Sequence, residues 1–379
     1  MNAISTSEKL QFSIEAKALI ETLKVVGGVI ENTQVIPILS HVKLEISNGY
    51  LTAIASDSEI EMTASTVLGS CCDQSFTTAV SCKKLLDICK TLPAQSTIKL
   101  TLADGWLCLE SDQSKFMLAT LSATNFPRLN VEENAFSWRI NSSIMHNLLQ
   151  NTAFSMAEQD VRFFLNGLHI SLAKDSIHVA ATDGHRLASA EASSGINCEQ
   201  SYQCIIPRKA TITLTRLLQG LEEELIVHQT QNHIQISCPQ FSMTSNLLEG
   251  NKIDCQQLIP SKQSAKKVEI THSALKQALS RAAILSHEKF RGAKIGFSEN
   301  CMNIQAHNAE QEKTEEKIPL VYDAEPIEMA FNISYLQDML SALSDDILAW
   351  YFLPEKGTVL VEENHEDRKF VYVVMSMHI

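Results

Sequence analysis

The chain has no surplus of positive charge. Its 379 residues hold 31 Lys and Arg against 44 Asp and Glu, a net charge of −13, which excludes a surface coated everywhere in nucleic-acid-binding charge. Its ten cysteines form no C-x-x-C: Cys71 and Cys72 are adjacent, Cys82 and Cys89 are seven apart, and Cys198 and Cys204 are six apart. That spacing has no metal or disulfide grammar, so reduced structural thiols and a reducing cytosol are expected. No apolar run approaches the roughly 20 residues needed to span a bilayer. Met1 to Lys9 is polar and lacks an apolar h-region, so no signal peptide is expected. The chain also lacks a serine or cysteine nucleophile motif, G-x-x-x-x-G-K-[ST] and H-E-x-x-H. An enzyme reading is left with Asp183 and His185. These share a face if extended and could act as an acid–base pair, but no second close His or Cys makes His185 a metal ligand. A binding or structural scaffold is the other reading.

What is present is enough apolar content, 45%, for packed cores, in a chain long enough for two or three domains. The most informative stretch is Thr182-Asp183-Gly184-His185-Arg186-Leu187-Ala188. It follows an apolar strand, Ile177 to Ala181, and Asp-Gly supplies a turn. A similar piece, Ser56 to Met62, stands roughly 126 residues earlier, and another, His307 to Glu310, roughly 125 later. The chain is close to three times this spacing in length.

The rest of the pattern repeats with it. Apolar periodicity predicts helices over 15–30, 81–92, 141–156, 207–219, 271–285 and 332–343. Ser81, Asn141 or Ser142, Thr271 and Asn332 stand at their starts as candidate N-caps. Strands and hairpins fill the intervals, at Leu10–Ile14, around Ser47-Asn48-Gly49, from Leu165 to Leu172, and from Phe370 to Met375 among others. Val35 to Leu39 reads as irregular. A period near 126 means three whole domains of one α+β fold, not a solenoid. The expected domains are 10–133, 134–263 and 264–379, with polar boundaries near Glu132–Asn134 and Ser261–Ala265.

The six helices hold ten Lys or Arg against four Asp or Glu, about +6, which leaves about −19 on the remainder. Lys83, Lys84, Lys90, Arg208, Lys209, Arg216, Lys276 and Arg281 carry the excess. Solvated helix faces are one explanation. The other is a positive surface built from helices that attracts phosphates without reading bases.

Three segments resemble one family closely: Thr182 to Ala188, Gln159 to Gly167, and Ala282 to Gly292. Phe331-Asn332-Ile333-Ser334-Tyr335-Leu336 and Tyr372 to Met377 agree. The family is the bacterial sliding clamp, the DNA polymerase III beta subunit, and the resemblance covers nearly the whole chain from Leu10. It implies three repeated domains of the DNA-clamp fold, each with two helices on an inner face and two antiparallel sheets outside. It further implies a head-to-tail homodimeric ring around double-stranded DNA, cytoplasmic, without cofactor or chemistry of its own. The partners it implies are the polymerase III alpha subunit, the ATP-driven clamp loader and other clamp-motif proteins.

The resemblance also assigns residues. A partner-peptide pocket falls on Leu165, Thr182, Gly184, His185, Arg186 and Leu187, on Leu258, Asn332 and Tyr335, and on Val373, Met375, Met377, His378 and Ile379. Leu, Val and Met would line an adaptable apolar cleft, with Arg186, His185 and Asn332 orienting a peptide backbone. Gln159 joins the helix cations as a DNA contact. Phe116 and Leu118 of one copy should meet Ile284 and Leu285 of the other, because Lys115–Leu121 reads as an edge strand in need of a partner. The chain departs from the family's usual residues at four places. Lys252-Ile253-Asp254-Cys255 replaces Phe-Pro-Asp-Tyr, Gln257 replaces a basic residue, Met375-Ser376-Met377 replaces Met-Pro-Met, and Thr33 replaces an arginine.

Overall fold

The computed structural model describes residues 10–30, 36–68, 75–129, 135–193, 195–196, 202–250, 255–298 and 300–378. Met1–Lys9, Thr33, Val35, Cys71, Cys72, the boundary Glu132–Asn134, Cys198, Lys252–Asp254 and Ile379 lie outside the described residues.

The first third runs β1 (Leu10–Glu15), α1 (Ala16–Gly27), β2 (His41–Ser47), β3 (Tyr50–Ser56), β4 (Ile60–Val67), β5 (Phe76–Ser81), α2 (Cys82–Thr91), β6 (Thr97–Ala103), β7 (Trp106–Ser111) and β8 (Ser114–Leu121). The second runs β9 (Phe136–Asn141), α3 (Ser142–Gln150), β10 (Gly167–Ala173), β11 (Ser176–Thr182), β12 (Arg186–Ser193), β13 (Tyr202–Pro207), α4 (Arg208–Leu218), β14 (Glu224–Gln229), β15 (His233–Cys238) and β16 (Phe241–Asn246). After a single turn, α5 (Cys255–Leu258), the third runs β17 (Lys266–Thr271), α6 (His272–Ala282), β18 (Gly292–Ser298), β19 (Cys301–His307), β20 (Lys313–Pro319), β21 (Ile327–Asn332), α7 (Ile333–Ala342), β22 (Ile347–Leu353), β23 (Thr358–Asn364) and β24 (Arg368–Met375). The order strand, helix, four strands, helix, three strands thus occurs three times.

The turn pieces at the centre of each repeat share their chemistry. Asp183 Oδ1 accepts the N–H groups of His185 (2.9 Å) and Arg186 (3.0 Å), and Thr182 Oγ1 accepts that of Gly184 at 3.1 Å. In the first repeat Asp57 Oδ1 accepts from Glu59 and Ile60, and Ser56 Oγ accepts from Ser58 at 3.1 Å. Gly184 and Ser58, at φ 88° and 77°, hold equivalent left-handed positions. In the third repeat Asn308 Oδ1 accepts from Glu312, one residue further on. A short side-chain acceptor mimics a backbone turn in all three.

The chain divides into two compact units, 1–142 with 221–247 and 143–220 with 248–379. The first holds a 12-stranded antiparallel sheet in the order β1-β6-β7-β8-β5-β2-β3-β4-β16-β15-β14-β9. It consists of three four-stranded blocks. One join, β5 to β8, is only the pairs Ala79–Leu121 and Val80–Thr120, and the other, β4 to β16, runs from Thr63–Ser242 to Ile60–Ser245. The second unit holds an eight-stranded sheet, β13-β10-β11-β12-β24-β23-β22-β17, and a four-stranded one, β20-β19-β18-β21. In the second unit, too, two four-stranded blocks from different thirds are joined edge to edge, by β12 and β24.

The helices form where apolar residues recur at helical spacing. α1 buries Ala16, Leu19, Thr22, Leu23 and Val26 and packs on β4, β3 and α2. α7 buries Ile333, Leu336, Met339 and Leu340. Ser81 caps α2 through the N–H of Lys84, and Asn332 caps α7 through that of Ser334 at 2.9 Å. Ser142 bonds outside its own helix. Its Oγ donates to Leu221 O and accepts from Glu223 N–H, tying the start of α3 to the residues before β14. Thr271 makes no side-chain cap bond.

Four sequence expectations are corrected. The helix expected over 141–156 ends at Gln150, followed by a 3-10 turn at Ala153–Ser155. The strand expected from Leu165 starts at Gly167, because Asn166 exchanges two hydrogen bonds with the backbone of Asp160 and closes a loop. Pro37–Ser40 is a 3-10 turn with Pro at its start. β20 has no counterpart among the expected strands, since an edge strand of mixed charge, Lys313-Thr314-Glu315-Glu316-Lys317, carries almost no apolar signal.

Cys82 and Cys89 are buried under α2, and burial pushes their thiols up to about 11 and about 12. They are therefore unreactive packing groups. Leu23 is fully buried between α1 and its sheet. Leu23→Ala should cost the first unit about 3 kcal/mol, from lost transfer energy plus the cavity. Urea unfolding followed by circular dichroism checks this, and a loss below about 1 kcal/mol contradicts the packing.

Candidate functional site

The second unit gathers most of the residues assigned to the pocket. β12 and β24 pair antiparallel, with Leu187 opposite Val373 and Arg186 opposite Val374. Leu187 and Val373 pack in one cluster with Ala180, Leu353, Leu360 and Val371, and Ile259 lies against it. Two residues on from Val373, Met375 shares its strand face yet is 45% exposed, and Leu258, beside Ile259, is 49% exposed. A buried apolar cluster is thus flanked by exposed Met and Leu side chains. Leu165 is buried at the end of the 3-10 turn Phe163–Leu165, where its carbonyl accepts from Ala157 N–H.

The Arg186 side chain is engaged within the chain itself. Its Nε donates to Asp183 Oδ2 at 3.0 Å, its Nη1 to Asp338 Oδ2 at 2.6 Å, and its Nη2 to Phe154 O at 2.6 Å. The guanidinium carbon lies 4.3 Å from the Tyr335 ring centroid and 5.6 Å from that of Phe154. With its side chain only 11% exposed, Arg186 clamps the turn before β12, helix α7 and the 3-10 turn at Ala153–Ser155. Burial, then the Asp183 carboxylate, raises the Tyr335 hydroxyl pKa above its usual range. Asp183 is fully engaged by this turn, so Asp183 and His185 form no acid–base pair. Asn332 Oδ1 is likewise taken by its cap. Thr182 donates to Arg186 O at 2.6 Å and serves the turn. His185 remains exposed, and its carbonyl accepts Met375 N–H at 2.9 Å.

The loop before β10 closes against the same turn. Arg162 makes two side-chain bonds to Asp160, at 3.0 and 2.9 Å, and reaches Asp183 O. A Cβ on Gly184 would meet Arg162 Nη2 at 3.0 Å, and the φ of 88° already favours glycine there. The Arg162 bonds hold the Asp160 carboxyl down at about 2. Since that pKa is depressed, the pair is intact at all pH values above it and is lost only as pH falls through about 2. Gln159 is exposed on this loop, at φ 58°.

The helix cations divide into exposed and engaged groups. Lys83 and Lys84 are exposed on α2, opposite its buried Cys82, Leu85 and Cys89. Lys90 is also exposed, 3.9 Å from Asp87. Arg216 on α4 and Lys276 on α6 are exposed, and Lys209 is half-buried. Arg208 donates to Met156 O at 3.1 Å. Arg281 is held by both Glu316 oxygens, through Nε at 2.9 Å and Nη2 at 2.6 Å, so its charge is offset locally.

At the expected seam, β8 pairs along its length with β7, but with β5 only at Thr120 and Leu121. Over 114–119 its second edge has no strand partner among the described residues. Leu118 is 9% exposed and faces its own domain, Phe116 is half-buried, and Met117 is 58% exposed. In the second unit β20 is an outer strand of its sheet, and Ile284 is 77% exposed beside half-buried Leu285. Sequence reasoning missed Met117, Phe154 and Asp338. Asp338 is the one acid on the apolar helix α7, and nothing local in the sequence ties it to Arg186.

Arg186→Met and Asp338→Asn should each lower the stability of the second unit, and their effects should not add. The coupling expected is about 1 kcal/mol, discounted because Asp338 is 46% exposed. A double-mutant cycle in urea measures it, and strict additivity contradicts the clamp.

Models of the DNA polymerase III beta subunit match the chain three times: its N-terminal domain over residues 10–130, its central domain over 139–252 and its C-terminal domain over 256–378. The chain is 34% identical to the beta sliding clamp of Pseudomonas putida and 35% identical to that of Escherichia coli K12, each over 370 residues, covering 98% of this chain and 100% of the relative. Among solved structures it is similar to the DNA polymerase III subunit beta of Pseudomonas aeruginosa, with a TM-score of 0.92, 33% identity, and 97% and 100% of the two chains covered. A clamp from the same organism bound to griselimycin gives 0.91 at 34% identity, covering 97% and 99% of the two chains. The repeat, the sheets and these matches agree: the chain belongs to the DNA polymerase III beta subunit family, the bacterial sliding clamps.

Proposed function

We propose that this chain is a DNA sliding clamp: two copies close head to tail into a ring around duplex DNA, and the ring tethers the replicative polymerase without catalysing a reaction. The observation that carries the reading is the threefold repeat of eight strands and two helices, matched from end to end by three family domains. The domains are 10–133, 134–263 and 264–379. The free edge of β8 with exposed Met117 on one copy, and β20 with Ile284 and Leu285 on the other, are unlike surfaces. Joining unlike surfaces twice gives a closed ring. Phe116 supports this seam from behind, and Leu118 supports it from the core of its own domain.

Lys83, Lys84, Lys90, Arg216 and Lys276 are the DNA contacts, assisted by Lys209, Arg208 and Gln159, with Arg281 contributing less because Glu316 offsets its charge. Contacts to phosphate alone leave sequence unread and let the ring slide. The groove floored by Leu187 and Val373 and rimmed by Met375, Met377 and Leu258 takes an apolar partner peptide. The peptide comes from the polymerase III alpha subunit, the clamp loader or another clamp-motif protein. Gly184 and Thr182 shape the groove's turn, while Arg186, Tyr335 and Asn332 hold its walls. The setting is the cytoplasm.

Ring topology makes a sharp test. Once loaded by an ATP-driven clamp loader, the protein should stay on nicked circular DNA through gel filtration in high salt and leave within minutes after the circle is cut. Equal retention on both forms rules out encirclement. Ile284→Asp with Leu285→Asp should yield folded monomers by light scattering. An unchanged dimer mass would remove these residues from the seam.

A further inference from the structure

Three successive backbone N–H groups hold the chain where it leaves β24, each on a different element. Met375 donates to His185 O at 2.9 Å, Ser376 to Gly357 O at 2.7 Å, and Met377 to Ala330 O of β21 at 2.8 Å. The middle bond lands on a constrained turn. Gly357 closes the 3-10 turn Pro354–Lys356 in the left-handed conformation, at φ 59° and ψ 38°. A Cβ built there would stand 2.9 Å from Ser376 Oγ. Any other residue at 357 is therefore opposed by both conformation and space. The two methionines flanking Ser376 are the groove's rim, so this bond sits between the side chains that would contact a peptide.

From this geometry we infer that the Ser376 N–H is a positioning group for peptide binding. It fixes Met375 and Met377 as a preformed wall, so little ordering remains to be done when a peptide docks. The bond needs an amide hydrogen. A proline at 376 could not make it, because proline has no N–H. The Ser376 hydroxyl is not required, since the main chain alone donates. The inference rests on the groove being the peptide site.

The test uses the full-length ring and a fluorescent peptide copied from the polymerase alpha subunit's clamp-binding segment. Wild type, Ser376→Ala, Ser376→Pro and Gly357→Ala are compared by anisotropy, with amide hydrogen exchange at Met375 and Met377 as the second readout. Ser376→Ala should bind within about twofold of wild type. Ser376→Pro should bind about fivefold more weakly, the effect of one lost neutral hydrogen bond, and Met377 should exchange faster. Gly357→Ala should weaken binding in the same direction while the dimer mass by light scattering stays unchanged. Wild-type affinity in Ser376→Pro overturns the inference alone, as does an equal loss in Ser376→Ala. Failure of the wild type to bind the peptide overturns the groove reading, and this inference with it.

Discussion

The ladder between β12 and β24 is the constraint on which the groove depends. Seven residue pairs, from Arg186–Val374 to Ala192–Arg368, set one register. A slip of one residue would turn Leu187 and Val373 to the opposite face and leave the apolar floor in pieces. The same register brings His185 O to Met375 N–H and places Arg186 where Asp338 and Phe154 O can both reach it. Apolar floor, polar clamp and methionine rim are three consequences of one alignment of backbone hydrogen bonds.

Arg186 shows how such a site keeps its shape. A guanidinium with two carboxylates, a carbonyl and two aromatic rings around it has little freedom left, and its donors are directed in a fixed fork. The residue most suited by its chemistry to grip a peptide is committed to the scaffold. In the proposed function, contact with a partner falls instead to unbranched, polarizable side chains and to main-chain groups, which adapt to more than one sequence.

Charge is arranged on a similar plan. The chain is acidic overall, and several helix cations are neutralised locally, most completely Arg281 by Glu316. What remains is a small set of exposed lysines and Arg216 against a negative background. Such a surface favours a polyanion only at short range and loses that preference as salt rises. This suits a protein that must hold DNA by enclosure and not by grip.

The residues alone determined the repeat, the six long helices and the turn chemistry, because each depends on local rules: apolar spacing, Asx acceptors and short caps. They also pointed to the family, through specific segments such as Thr182 to Ala188. They did not indicate β20, whose charged edge has no apolar signature, or that Leu118 faces its own domain while Met117 is exposed. They could not show that Arg186 and Asp338, 152 residues apart, form an ion pair, or that Ser376 N–H meets Gly357. Those facts depend on which distant strands become neighbours, and only the long-range pairing of β12 with β24, and of the last residues with β21, decides that.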